Sequence, residues 1–119
     1  AAALSVPAAL DFMHAHQWDD VSKKCHQLLA SAIDRICRLV SAPPLYPLDS
    51  NLYFQMGIAP LSPETNMPVL KQRLYDEYHI EGPLSTWDHQ TFIRISSQGY
   101  NRSVEIDTLL EALEQLLPL

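Results

Sequence analysis

The chain has 119 residues, 47% of them hydrophobic, and balances 8 Lys plus Arg against 14 Asp plus Glu for a formal net charge of −6. That length supports one compact domain with a real core and is too short for two ordinary ones. No basic run could track a phosphate backbone, and no apolar stretch approaches the ~20 residues that cross a bilayer, so neither nucleic acid nor a membrane is an expected partner.

A short helix is expected first: Ser5 as cap, Pro7 in the first turn, then Ala8, Ala9, Leu10, Phe12 and Met13 to about His16. No basic segment precedes this run, which argues against a secretory leader. The missing initiator methionine suits a piece of a longer chain. Asp19 or Asp20 can cap a second helix. In it Val21, Cys25, Leu28, Leu29, Ala32, Ile33, Ile36, Leu39 and Val40 recur at three- and four-residue steps. Lys23, Lys24, Arg35 and Arg38 belong to its polar face. Cys25 and Cys37 are twelve positions apart, about 18 Å along one helix, so they cannot pair with each other there. They read as reduced thiols, which fits a soluble, cytoplasmic protein.

The Ala42-Pro43-Pro44-Leu45-Tyr46-Pro47 run stops that helix and marks an internal boundary. Leu52 to Ile58 reads as a strand, and Asn66 caps a helix with Pro68 in its first turn and Val69, Leu70, Leu74 and Tyr78 along one side. Ile80 to Ser85 reads as an irregular or edge strand because of Gly82 and Pro83. Trp87 to Gln90 turns the chain, and Thr91 to Ser96 returns as its hairpin partner. The last helix follows Ser103, with Glu105 and Asp107 in its first turn and Ile106, Leu109, Leu110, Leu113, Leu116 and Leu117 as its stripe. The expected class is α+β: two N-terminal helices in residues 1–42, then a β-α-β-β-α unit in 51–119. Its small, mainly antiparallel sheet is covered by helices on one face.

Few side chains suggest chemistry. His14 and His16 point in different directions from one helix, and His26, His79 and His89 lack ligands at metal spacing, so no metal is expected. A cysteine nucleophile is disfavoured because Cys25 lies on the stripe that should be buried. Arg94 stands out. It alternates with Ile93 and Ile95, so if these enter the core it shares the opposite face with Phe92 and Ser96, where its planar guanidinium suits two-point capture of a carboxylate. A solvated or internally paired arginine is the alternative.

The block Arg94-Ile95-Ser96-Ser97-Gln98-Gly99-Tyr100-Asn101, followed by Glu105-Ile106-Asp107-Thr108-Leu109-Leu110-Glu111-Ala112-Leu113, resembles the C-terminal signature of class V aminotransferase-like enzymes. Leu4 to Phe12, Gln55-Met56 and Lys71 to Tyr78 resemble the isopenicillin N epimerase-like branch, so the similarity covers nearly the whole chain. Arg102 stands where many relatives carry threonine. The resemblance implies the C-terminal small domain of a fold type I parent enzyme that uses pyridoxal phosphate on an amino-acid substrate, with Arg94 binding the substrate carboxylate. It further implies a homo-oligomeric parent whose large domain carries the cofactor lysine. Lys23, Lys24 and Lys71 do not sit in such a motif, so the 119-residue piece is expected to bind no cofactor and to be inactive alone. Transamination, epimerisation, desulfuration and lyase chemistry all remain open. The competing expectation is a stand-alone ligand-sensing or protein-interaction module. A detached domain would differ from it by an exposed apolar patch, expected on the second helix or on the sheet face bearing Phe92.

Overall fold

In the computed structural model, which describes residues 2–118, the second helix organises the molecule. Helix α1 (Val6–Ala15) follows a 3-10 turn (Ala2–Ser5), and α2 runs Trp18–Leu39. Strand β1 (Met56–Pro60), α3 (Met67–Tyr78), β2 (Leu84–Trp87), β3 (Gln90–Ser96) and α4 (Ser103–Leu116) complete the order. The three strands form an antiparallel sheet in the order β1-β3-β2. This is the expected α+β architecture.

The periodic stripe of α2 is buried as its spacing requires: Cys25, Leu29, Ala32, Ile33 and Ile36, joined by Cys37. All of these but Cys25 pack with Leu70 and Leu74 of α3, with Ile106, Leu109, Ala112 and Leu113 of α4, and with Ala59, Ile93 and Ile95 of the sheet in one apolar cluster. The helices therefore cover the face that carries the two isoleucines. Arg35 on α2 ties to Asp107 on α4 at 2.7 Å, while Arg38 pairs with Asp34 one turn back at 2.6 Å. These exposed pairs lock side chains more than they stabilise the fold.

Several ends differ from expectation, each for a local reason. Ser5 precedes α1, but its side chain makes no cap hydrogen bond, because the preceding 3-10 turn leaves its backbone helical rather than extended. Gln17, in the left-handed region at φ 50°, precedes α2, and Asp19 and Asp20 lie in the first turn, where they favour the positive helix end. Helix α2 ends before the prolines: left-handed Ser41 lets the Ala42 N–H reach the Cys37 carbonyl at 3.0 Å.

Strand β1 begins at Met56, four residues later than expected. Tyr53 turns inward instead, is 7% exposed, and donates its hydroxyl to the Leu48 carbonyl at 2.6 Å, which holds residues 48–53 in a turn. Strand β2 likewise begins only at Leu84, after Pro83, and it is the edge strand that Gly82 and Pro83 suggested. Pro83 lacks a donor, but its carbonyl still accepts from the Arg94 N–H at 2.9 Å. The hairpin joining β2 to β3 is a two-residue turn with Asp88 at φ 46° and His89 at φ 61°, the double left-handed geometry that matches strand twist.

Helix α3 is capped as its sequence indicates, with Asn66 Oδ1 accepting from the Val69 N–H at 3.2 Å and Pro68 in the first turn. We expect Asn66→Ala to lower the unfolding free energy by about 1 kcal/mol and Asn66→Asp to retain most of it, as measured by urea titration. Val69, expected on the packed side, is exposed instead, while Leu70 and Leu74 are buried and Tyr78 packs against the same core.

Candidate functional site

Arg94 sits in the middle strand, and the register places it directly across from Ile58 of β1. Ile93 and Ile95, its neighbours in sequence, are 1% and 7% exposed on the helix-covered side. Alternation therefore turns Arg94 to the opposite face, together with Phe92 and Ser96. Arg94 and Ser96 are exposed there, whereas Phe92 is only 1% exposed and stands across from buried Pro60. The ion pairs formed among the described residues leave Arg94 out. Its five N–H donors in a fixed planar fork are thus presented on an open sheet face.

A polar network secures the turn that follows β3. Gln55 Nε2 donates to the Ser97 carbonyl at 3.1 Å and to Gln98 Oε1 at 2.9 Å, joining the approach to β1 to the end of β3. Asn101 Oδ1 accepts from the Gln98 N–H at 2.8 Å, while its Nδ2 donates to Glu105 Oε2 at 2.8 Å. The same Glu105 oxygen accepts from the Arg102 N–H at 3.3 Å and so covers the start of α4. Ser103 is consequently the first helical residue and Arg102 the cap position. A groove beside this turn is lined in part by His79, Glu81, Arg94, Asn101 and Glu105.

Glu105 has its carboxyl held below the ordinary value of 4.5, first by the Asn101 amide and then by the Arg102 N–H. A depressed folded-state pKa contributes stability above the unfolded value and loses it as pH falls through the lower, folded one. Melting temperature is therefore expected to fall on acidification below 4.5, with a shallower decline in Glu105→Gln, which keeps an acceptor for both donors but has no proton to take up.

The other sequence candidates are dispersed. His16 Nδ1 lies 2.8 Å from the Phe12 carbonyl and stacks on Phe12, and His26 Nδ1 lies 3.0 Å from the Phe54 carbonyl beside Tyr53. Among the described residues no three His, Cys, Asp or Glu side chains gather as a metal cage. Cys25 and Cys37 are buried free thiols, and burial followed by nearby Asp34 pushes the Cys37 thiol upward, away from nucleophilic character. Lys23, Lys24 and Lys71 are exposed on helix surfaces, with Lys23 3.7 Å from Asp20.

Two features of the site were not foreseen. Apolar Ile58 and Met56 lie on the same open face as Arg94, and Met56 is 54% exposed. Tyr46, from the proline-rich connection, binds the outer edge of β1, where its hydroxyl accepts from the Ile58 N–H at 2.8 Å. The Asn101 to Glu105 spacing of four residues was a readable signal for the turn network. Nothing local marked Tyr46, whose contact spans twelve residues.

The exposed apolar residues also lie elsewhere than on α2. Helix α1 buries none of its residues, and Leu4, Val6, Leu10, Phe12 and Met13 are 38–84% exposed. No helix among the described residues is long and apolar enough to cross a membrane.

Fold and site together define a small α+β domain that displays an arginine, outside the ion pairs of the described residues, on the sheet face opposite its helices. No family model matches the chain. It is similar to isopenicillin N epimerase of Amycolatopsis lactamdurans, with 28% identity over 113 residues, 95% of this chain. The matched stretch is 28% of that relative's length, so the chain spans little more than a quarter of the protein it resembles.

Proposed function

We propose that this chain is the C-terminal small domain of a pyridoxal phosphate-dependent enzyme of the class V aminotransferase group, in its isopenicillin N epimerase-like branch, and that Arg94 binds the carboxylate of the amino-acid substrate. The observation that carries the reading is the position of Arg94: exposed, outside the internal ion pairs, and fixed on a regular strand. A structural arginine would be paired within the domain. One placed to receive a ligand keeps its fork open. Similarity to an isopenicillin N epimerase along 95% of the chain supports the same branch.

In this reading the cofactor and the lysine that holds it belong to a large domain outside these residues, and the cofactor supplies the electron sink for bond breaking at Cα. The contribution of this chain is positional. Two parallel hydrogen bonds from Arg94 fix the substrate carboxylate, and the Gln55, Gln98, Asn101 and Glu105 network steadies the turn leading away from the strand that carries it. The apolar side chains that α1 leaves exposed, Val6, Leu10, Phe12 and Met13, support a further surface in the parent, since apolar residues gathered on one helix are normally covered by protein.

The test is expression of the full-length gene product. A chain extended by a large domain, showing the visible absorbance of lysine-bound pyridoxal phosphate and losing turnover in Arg94→Ala, is the expected result. A native product confined to these residues and colourless at full occupancy would refute the reading and favour a stand-alone binding module.

A further inference from the structure

The surroundings of Arg94 say what accompanies the carboxylate. Ile58 is directly opposite Arg94 across the β1–β3 pair, a distance of about 5 Å between Cβ atoms for such partners. Met56, opposite Ser96, is the diagonal neighbour, about 7–8 Å away. Both apolar side chains point to the face that the helices leave uncovered, with Ile58 half-buried and Met56 54% exposed. A cation beside an apolar shelf complements a ligand in which a carboxylate and an aliphatic group are close neighbours. It is a poor match for a ligand polar along its whole length, whose hydrogen-bonding groups would lose water without replacement.

The shelf is also held still. Tyr46 grips the outer edge of β1 at Ile58, accepting from its N–H at 2.8 Å and lying 3.5 Å from its carbonyl. The Tyr46 ring lies tilted against Tyr53, centroids 4.8 Å apart, and the Tyr53 hydroxyl donates to the Leu48 carbonyl. The inner side of β1 is closed by Gly57, where an added Cβ would come within 2.9 Å of Ile33 Cδ1. The strand therefore has little freedom to slide along β3, and the register that sets Ile58 across from Arg94 is held.

We propose that Ile58 and Met56 form the side-chain subsite that gives this domain a preference for carboxylates bearing an aliphatic chain over equally long polar ones. This inference rests on the reading of Arg94 as a carboxylate binder. The experiment separates the two: the full-length gene product is titrated calorimetrically with 4-methylpentanoate and, separately, with succinamate. Tighter binding of 4-methylpentanoate by about fivefold is expected, the size produced when about one methylene group leaves water. Met56→Gln, at an exposed position that leaves the fold intact, should cut this preference to about twofold, and Ile58→Asn should abolish it, while neither prevents succinamate from binding. Arg94→Ala should abolish both titrations. Binding that survives Arg94→Ala, or no binding of either probe, would overturn the carboxylate reading and the subsite with it. Binding that needs Arg94 but shows no preference, or a preference unchanged in Met56→Gln and Ile58→Asn, would overturn the subsite alone.

Discussion

If Arg94 binds a substrate carboxylate as proposed, Arg94→Ala is expected to lower kcat/KM of the full-length gene product by about 100- to 1,000-fold, corresponding to about 3–4 kcal/mol of lost binding in the transition state. The magnitude follows from two charge-assisted hydrogen bonds that are made together and lost together. In an exposed pair such bonds would be worth little, because water competes for both partners. In the proposed parent enzyme they would become strong where a covering domain excludes water. Arg94→Lys keeps the charge but not the planar fork, so its loss should be smaller, about tenfold. Neither change should alter the melting temperature of the 119-residue chain, since Arg94 is exposed and takes no part in the ion pairs of this fold. A large loss of activity accompanied by a large loss of stability would mean that Arg94 is structural.

The second large effect lies on the other side of the sheet. Gly57→Ala is expected to destabilise the chain by about 1–3 kcal/mol, a large part of the margin of a domain this size. The new Cβ would meet Ile33 Cδ1 and Tyr46 Oη, each at 2.9 Å, and Tyr53 Cδ2 at 3.3 Å. Backbone strain is not the cause, because no glycine here has positive φ. The requirement is room for α2 and the Tyr46 connection to approach β1 at one point. Ile33→Val removes the clashing methyl and by itself costs about 0.5–1.5 kcal/mol. The double variant should therefore be more stable than the sum of the singles, by about 1 kcal/mol, when unfolded in urea. Relief is partial because Tyr46 Oη stays in place. Strict additivity would show that the two positions do not share this space.

Local chemistry was enough to read the helices and one turn. The stripe of α2 repeats over about five turns, Asn66-x-Pro68 states a helix start outright, and Asp88-His89 between alternating residues can close a hairpin. Alternation around Arg94 likewise indicated its face before any partner was known, because a strand has only two faces and the isoleucines claimed one.

The rest depended on partners far along the chain. Residues 52–55 have strand composition, yet Tyr53 is drawn inward by Leu48 and Gln55 is tied to Ser97 and Gln98, so pairing begins only at Met56. The apolar stripe of α2 looked like a docking surface until the sheet was seen to cover it, and α1, the less amphipathic helix, was left bare. Which apolar residues stand next to Arg94 was equally illegible, since Ile58 is thirty-six positions away and reaches it only through strand register. Propensity and capping act over three or four residues and are written in the chain. Register, the covered face and the neighbours of a side chain are set by which distant surfaces exclude water from each other, and they exist only once the chain has closed on itself.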